Sequence, residues 1–289
     1  MPSSTSCNQL LPLPRLVSRR LGTPASRRGP SHFRVTVGGR DGLGAAIIAE
    51  FDLPTEVEPC PYPVTILLFT NRSGSSMVAE HLRATGRFRG MGEPLNPGFM
   101  LSEMESAGVA SLHAYLRSRI DRNRAGDSLF GMKASLQQVT MLLRAGVIPG
   151  YFRDVRWAYV QRRDLVAQAV SFVIASQTRR WESFAAGSGQ GAEYSFEQIR
   201  RKVEALSMQN AAINAFFSVL GVEPCRVTYE NFCLDPLAAT AQLATRLGMP
   251  GARVDTAALR RRKQRDDTNA AFCRQFRAEY LAWLLARSQ

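Results

Sequence analysis

Residues 64–70, VTILLFT, constrain the fold more tightly than any other stretch of the chain. A run this short, apolar and β-branched suits a strand covered on both faces, as strands of a parallel sheet are. A turn rich in glycine and serine comes next (71–76, NRSGSS), and then a segment with helical spacing (77–85, MVAEHLRAT). The same alternation returns downstream. Residues 129–133 (LFGMK) read as a strand before a helix over 137–145. Residues 157–161 (WAYVQ) read as a second central strand before a long helix over 165–180. Residues 225–228 form a further strand before a helix at 236–247, and helices are expected over 106–123, 196–220 and the basic end 260–287. Residues 90–100 read as a loop and 183–193 as a Gly/Ser/Ala loop. Strands alternating with helices predict an α/β fold with a mostly parallel central sheet flanked by helices.

The first 50 residues stand apart. Residues 1–40 hold seven arginines and no acid, which is more than half of the net charge of +13, and they lack periodic apolar positions. They are expected to be a disordered basic tail, ahead of a single domain over 51–289. No apolar run approaches the roughly 18 residues of a membrane helix, and no secretory signal is evident, so a cytoplasmic protein without a membrane span is expected. Five cysteines without a C-x-x-C argue against a disulfide framework or a zinc site, and no metal is expected. The moderately basic body suits an anionic small ligand. No aromatic–basic interleaving or recognition-helix signature points to nucleic acid. Trp157 and Trp181 read as core residues.

Two segments carry chemistry. Arg72, Ser73, Gly74, Ser75 and Ser76 lie between a strand and a helix. A phosphate needs several donors converging on one point, and a tight turn with a helix N-terminus supplies backbone N–H groups and a favourable dipole. Gly74 lets the backbone come close, the serines add hydroxyls, and Arg72 adds a charged fork of donors. This is not a nucleotide-triphosphatase loop, because G-x-x-x-x-G-K-[ST] is absent. The second segment is 162–171, RRDLVAQAVS, directly after a strand. Arg163 and Ser171 are eight residues apart, close to two helical turns, and could hold a second phosphate at the carboxyl end of the sheet. A ligand with separated phosphates is implied.

At this point the sequence resembles a known family. LLFTNRSGSSMVAEHLRATG, GEP, FGMK, VQRRDLVAQAVSF and the late YENF with DP are similar to the bacterial trehalose 2-sulfotransferase family, within the wider sulfotransferases that use PAPS (3′-phosphoadenylyl sulfate). The resemblance covers roughly residues 62–280 and implies a P-loop-like sulfotransferase fold. It implies that Arg72, Ser73, Gly74, Ser75 and Ser76 bind the 5′-phosphosulfate and that Arg163 and Ser171 bind the 3′-phosphate. The segment RKQRDD resembles a late basic stretch that covers the nucleotide, and Lys263 and Gln264 are carried over from it. The reaction implied is sulfonate transfer from PAPS to a hydroxyl of a carbohydrate, glycolipid or other small acceptor. The family includes dimers, which leaves a homodimer open.

Such a transfer asks the protein to position both partners, stabilise the leaving phosphate and accept a proton. Arg72 and Lys133 are the candidate cations. The base is the open point. The family's loop usually reads G-E-P-x-E, with the second carboxylate as base, and here it reads Gly92-Glu93-Pro94-Leu95-Asn96. An amide takes no proton at neutral pH. Either Glu93 serves as the base or another group does; the loop is similar to the G-E-x-x-N-P loop of other carbohydrate sulfotransferases, and that resemblance favours Glu93 and argues against trehalose as the acceptor. The competing readings are a PAPS- or PAP-binding protein that has lost transfer, and a different nucleotide enzyme such as a kinase with an atypical phosphate loop.

Overall fold

The computed structural model describes residues 32–37, 47–52, 57–109, 111–181, 191–260 and 267–287. Two strands lie within or beside the segment expected to lack structure: β1 (His32–Val37) and β2 (Ile47–Asp52) pair antiparallel. The main body is a five-stranded sheet built from β3 (Val64–Phe69), β4 (Phe88–Gly92), β5 (Leu129–Ala134), β6 (Val155–Gln161) and β7 (Cys225–Thr228). Its order is β4-β5-β3-β6-β7, and every pairing is parallel. The fold is therefore α/β with a parallel central sheet, as the alternation of elements predicts.

All six residues of β3 are buried, which is what its position between β5 and β6 requires. Val64, Ile66 and Leu68 belong to one core, against α3 (Leu112–Asn123), α4 (Leu136–Arg144) and the far end of α6 (Phe196–Leu220). Leu67 belongs to the other, against Val78, Ala79 and Leu82 of α1 (Ser75–Ala84) and Leu243 of α8 (Pro236–Arg246). Alternate side chains of one strand thus feed two layers, and each fully buried Val or Leu contributes about 1.5–3 kcal/mol. A third cluster joins α5 (Leu165–Thr178), α6 and α9 (Asp267–Arg287).

The edge strand β4 and the helix α2 (Pro97–Ser106) fall where the sequence reads as a loop. The β4 sequence FRGMG has two glycines and no run of β-branched residues, so little marks it as a strand. It is irregular: Gly90 faces Gly131 and Gly92 faces Met132, so Met91 is an extra, unpaired residue, and it has φ 53°. Bulges of this kind redirect the chain beyond them, and the first residue beyond β4 is Glu93. Helix α2 has Pro97 at its first position, where a missing N–H costs nothing.

The chain leaves β3 for one side of the sheet and later returns to its other side as β6. Ligands in open α/β sheets bind outside the carboxyl ends of the strands at such a switch. Phe69, Glu93, Lys133, Arg162 and Tyr229 all sit at or just beyond those ends.

Candidate active site

A cleft of about 1080 Å³ opens over the carboxyl edge of the sheet. The loop 71–76 forms its floor. Arg72 takes a left-handed backbone conformation (φ 65°), rare for a residue with a side chain, and Gly74 has φ 91°. A Cβ on Gly74 would lie 2.2 Å from Cδ2 of Tyr229, so only glycine fits between the loop and that ring. Gly74 is the N-cap of α1, and no side chain caps the helix. The first turn of α1 is thus left to an external acceptor, the arrangement that favours anions.

The loop is held from beneath by groups that the sequence analysis did not single out. Gln168 is fully buried, and its Nε2 donates to Thr70 Oγ1 at 2.9 Å and to the Asn71 carbonyl at 2.7 Å. Thr70 in turn donates to Asn210 Oδ1 at 3.3 Å, which also accepts from the Tyr159 hydroxyl at 2.9 Å. Burial, partly offset by Arg226, pushes the Tyr159 phenol up to about 12, so it stays a donor here. The only hint in the sequence is the position of Gln168, between the small core residues Ala167 and Ala169 of an otherwise apolar helix.

The expected loop residues divide. Arg72, Gly74, Ser75 and Ser76 line the cleft. Ser73 does not: its side chain is fully buried and its Oγ has no hydrogen-bond partner. Its place in the turn points it into the protein, with its N–H donated to the Thr70 carbonyl at 3.2 Å. Arg72 donates through Nε to Ser171 Oγ at 2.9 Å and through Nη1 to the Trp181 carbonyl at 2.7 Å. The loop 71–76 and the serine expected of the second site therefore meet directly. Trp181 is not a core residue, being 45% exposed on the cleft wall with its ring edge-on to Phe172. Trp157 is in the core, packed against Phe216 and Phe217.

Arg163 and Ser171 are not in contact. Arg163 leans away from the wall, 66% exposed, donating to Asn231 Oδ1 at 3.1 Å and facing Glu230 at 3.8 Å. The reason lies in α7 (Tyr229–Phe232), whose Glu230 accepts from the backbone N–H groups of both Arg163 and Asp164 at 3.1 Å. Arg162 takes the inner position, with its guanidinium 4.9 Å from the Tyr229 ring. The opposite rim comes from α9: Asn269, Arg274 and Arg277 line the cleft, and Arg277 makes two 2.9 Å bonds to Asp164. Burial raises the Asp164 carboxyl, but its bond from the Ala167 N–H and the Arg277 charge outweigh this and hold it below the usual range. Lys263 and Gln264 lie outside the described residues, as does the greater part of the 183–193 loop.

Lys133 and Glu93 form the centre of the site. Lys133 is almost wholly buried at the end of β5, and its Nζ donates to Glu93 Oε1 at 2.7 Å and to Ser76 Oγ at 2.8 Å. One cation thus ties the loop 71–76 to the candidate base. Glu93 keeps 36% of its side chain exposed. Asn96, where the resembled family has its second carboxylate, lines the same cleft. A second cleft of about 450 Å³ lies beyond, and Ser76, Glu93 and Asn96 border both.

The family model of the Stf0 sulphotransferases matches residues 64–279, from the first strand of the sheet into α9. The chain belongs to the Stf0 sulphotransferase family. This is the trehalose 2-sulfotransferase family that the motifs resemble. The matched span contains every residue that lines the two clefts. Among solved structures, the chain is similar to a sulfotransferase from Alicyclobacillus acidocaldarius, at 16% identity and a TM-score of 0.46, covering 76% of this chain and 93% of that one. It is also similar to the sulfotransferase domain of the Synechococcus PCC 7002 olefin synthase, at 13% identity and a TM-score of 0.40, covering 78% and 98%. No curated protein matches the chain. Among the described residues, no helix is long and apolar enough to cross a membrane, and no three or more His, Cys, Asp or Glu side chains could together hold a metal ion.

Proposed function

We propose that this sulfotransferase takes its sulfonate from PAPS and passes it to a hydroxyl of a carbohydrate or glycolipid, releasing PAP. The observation that carries this reading is the Ser76–Lys133–Glu93 link, where a phosphate loop, a buried cation and a half-exposed carboxylate meet at the border of two clefts. The 5′-phosphosulfate of the donor is assigned to the N-terminus of α1, with the N–H groups and hydroxyls of Ser75 and Ser76 and the guanidinium of Arg72. The 3′-phosphate is assigned to Ser171 and to Arg163, which exchanges its Asn231 contact for the ligand.

In the transfer step the acceptor oxygen forms a bond to sulfur while the bond from sulfur to the bridging phosphate oxygen breaks. Negative charge grows on that leaving oxygen, as in phosphoryl transfer. In this reading Arg72, Lys133 and the helix N-terminus stabilise it. Glu93 receives the hydroxyl proton. Its carboxylate is partly exposed and borders both clefts, as a base that meets both donor and acceptor must.

The test is Glu93→Gln, assayed for transfer from PAPS to any acceptor that the native enzyme turns over. Transfer should slow by roughly two or more orders of magnitude, the usual contribution of a general base, with PAP affinity unchanged. A variant that transfers as fast as the native protein places the base elsewhere.

A further inference from the structure

The second cleft bears on which acceptors fit, provided the reading of the first as a donor site holds. It is separate from the nucleotide cleft yet shares with it the wall of Ser76, Glu93 and Asn96. An acceptor seated in it would present a hydroxyl directly to Glu93. Its volume of about 450 Å³ falls within the range of small-molecule sites, roughly 300–1,000 Å³.

Its lining is unevenly charged. Glu93 is neutralised by Lys133 at 2.7 Å, and the buried Glu80 accepts from the Arg260 N–H at 2.9 Å. Arg119 is held by Glu103 through bonds of 2.9 and 3.0 Å. Arg83 lines the same cleft, is exposed, and has no ion-pair partner among the described residues. It stands on α1 seven residues after Ser76, two turns along the same helix face. Phe99 lines the same cleft, 46% exposed, with the Arg119 guanidinium 5.4 Å from its ring centroid. The aromatic face is thus fixed by a side chain that is itself fixed, whereas the guanidinium of Arg83 is left to pair with something else.

We propose that the acceptor site is this second cleft and that it selects sugars bearing an anionic group, with Phe99 as the platform for the ring and Arg83 as the partner of the charge. The guanidinium fork suits a carboxylate and a phosphate alike, so the shared chemistry is an anionic oxygen group placed several ångströms from the reacting hydroxyl.

The experiment is calorimetric titration of the full-length protein, saturated with PAP, with three probes: p-nitrophenyl-β-D-glucuronide, glucose 6-phosphate and the neutral p-nitrophenyl-β-D-glucoside. At least one anionic probe should bind tenfold or more tightly than the neutral one, and which of the two does so tells carboxylate from phosphate. Arg83→Gln should abolish that preference without changing PAP affinity. Phe99→Ala should weaken charged and neutral glycosides by a similar factor. Equal binding of all three probes, no binding by any of them, or a preference that survives Arg83→Gln overturns the proposal. The saturating PAP titration keeps its failure distinct from that of the donor reading: a protein that does not bind PAP sinks the latter first.

Discussion

Gly74→Ala tests the loop to which the proposed function assigns the nucleotide. Two costs can be assigned separately. Gly74 has φ 91°, and an L-residue held there costs about 1–2 kcal/mol. The added methyl also lands 2.2 Å from Cδ2 of Tyr229, with the next ring atom at 2.8 Å, closer than real contacts come. The ring cannot simply drift aside, because Arg162 lies 4.9 Å from its centroid and Tyr229 opens α7. The loop must therefore shift, and with it the donors of Ser75 and Ser76. PAP affinity by calorimetry should fall at least tenfold, and the melting temperature should drop by several degrees, at about 2–4 °C per kcal/mol for a chain of this size. Tyr229→Ala removes the clash but not the dihedral cost. The double variant should recover part of the affinity and remain about 5–30-fold weaker than the native protein, the equivalent of 1–2 kcal/mol. An alanine variant that binds PAP with native affinity would show that the loop is not the phosphate site, whatever its stability.

Further perturbations bear on other parts of the site. Arg163→Ala should weaken PAP by roughly tenfold or more, since a hydrogen bond to a charged group contributes about 1.5–3 kcal/mol; an unchanged affinity removes Arg163 from the 3′-phosphate site. Gln168→Ala should cost about 1–3 kcal/mol of unfolding free energy in urea, because the Asn71 carbonyl and the Thr70 hydroxyl lose a buried donor, and native stability in that variant would mean that the loop does not rest on this network. Arg277→Gln should lower the denaturation midpoint at pH 7. The Asp164 carboxyl is depressed in the folded protein, so the stability it brings is present above its unfolded value of 3.8 and is lost as pH falls through the lower folded value. The gap between native and variant should accordingly close in strong acid, and a gap that is constant with pH would exclude the ion pair as its source.

Most of the sheet could be read from the sequence because its inner strands are covered on both faces. VTILLF, LFGMK and WAYVQ are nearly continuous apolar runs, and each is followed by a helix with clear spacing. The edge strand β4 escaped for the complementary reason: its glycines and its bulge at Met91 leave no period to detect. Helix α2 did carry a signal in Asn96-Pro97, an N-cap position followed by a proline at the first turn, but the surrounding glycines and prolines read as a loop. The paired strands β1 and β2 lie in or next to a stretch whose arginines and glycines suggested no order.

The site divides along the same line. Arg72, Gly74, Ser75 and Ser76 are local, carried by one turn, and their convergence comes from the chain order. The approach of Lys133 to Glu93 spans 40 residues, and that of Arg72 to Ser171 spans 99, so neither can be read from spacing within a segment. The outward turn of Arg163 is set by Glu230, 67 residues away, which binds the backbone at the end of β6. Ser73 shows the limit of counting residue types: a loop serine is a donor only if the turn directs it outward.

The central claim, that the paired phosphate sites form one pocket for PAPS, is tested most directly by comparing PAP with 5′-AMP in calorimetric titration of the purified protein. The two ligands differ only in the 3′-phosphate. The account predicts that PAP binds at least tenfold more tightly and that Ser171→Ala narrows the difference. Equal affinities, or no binding of either, would contradict it.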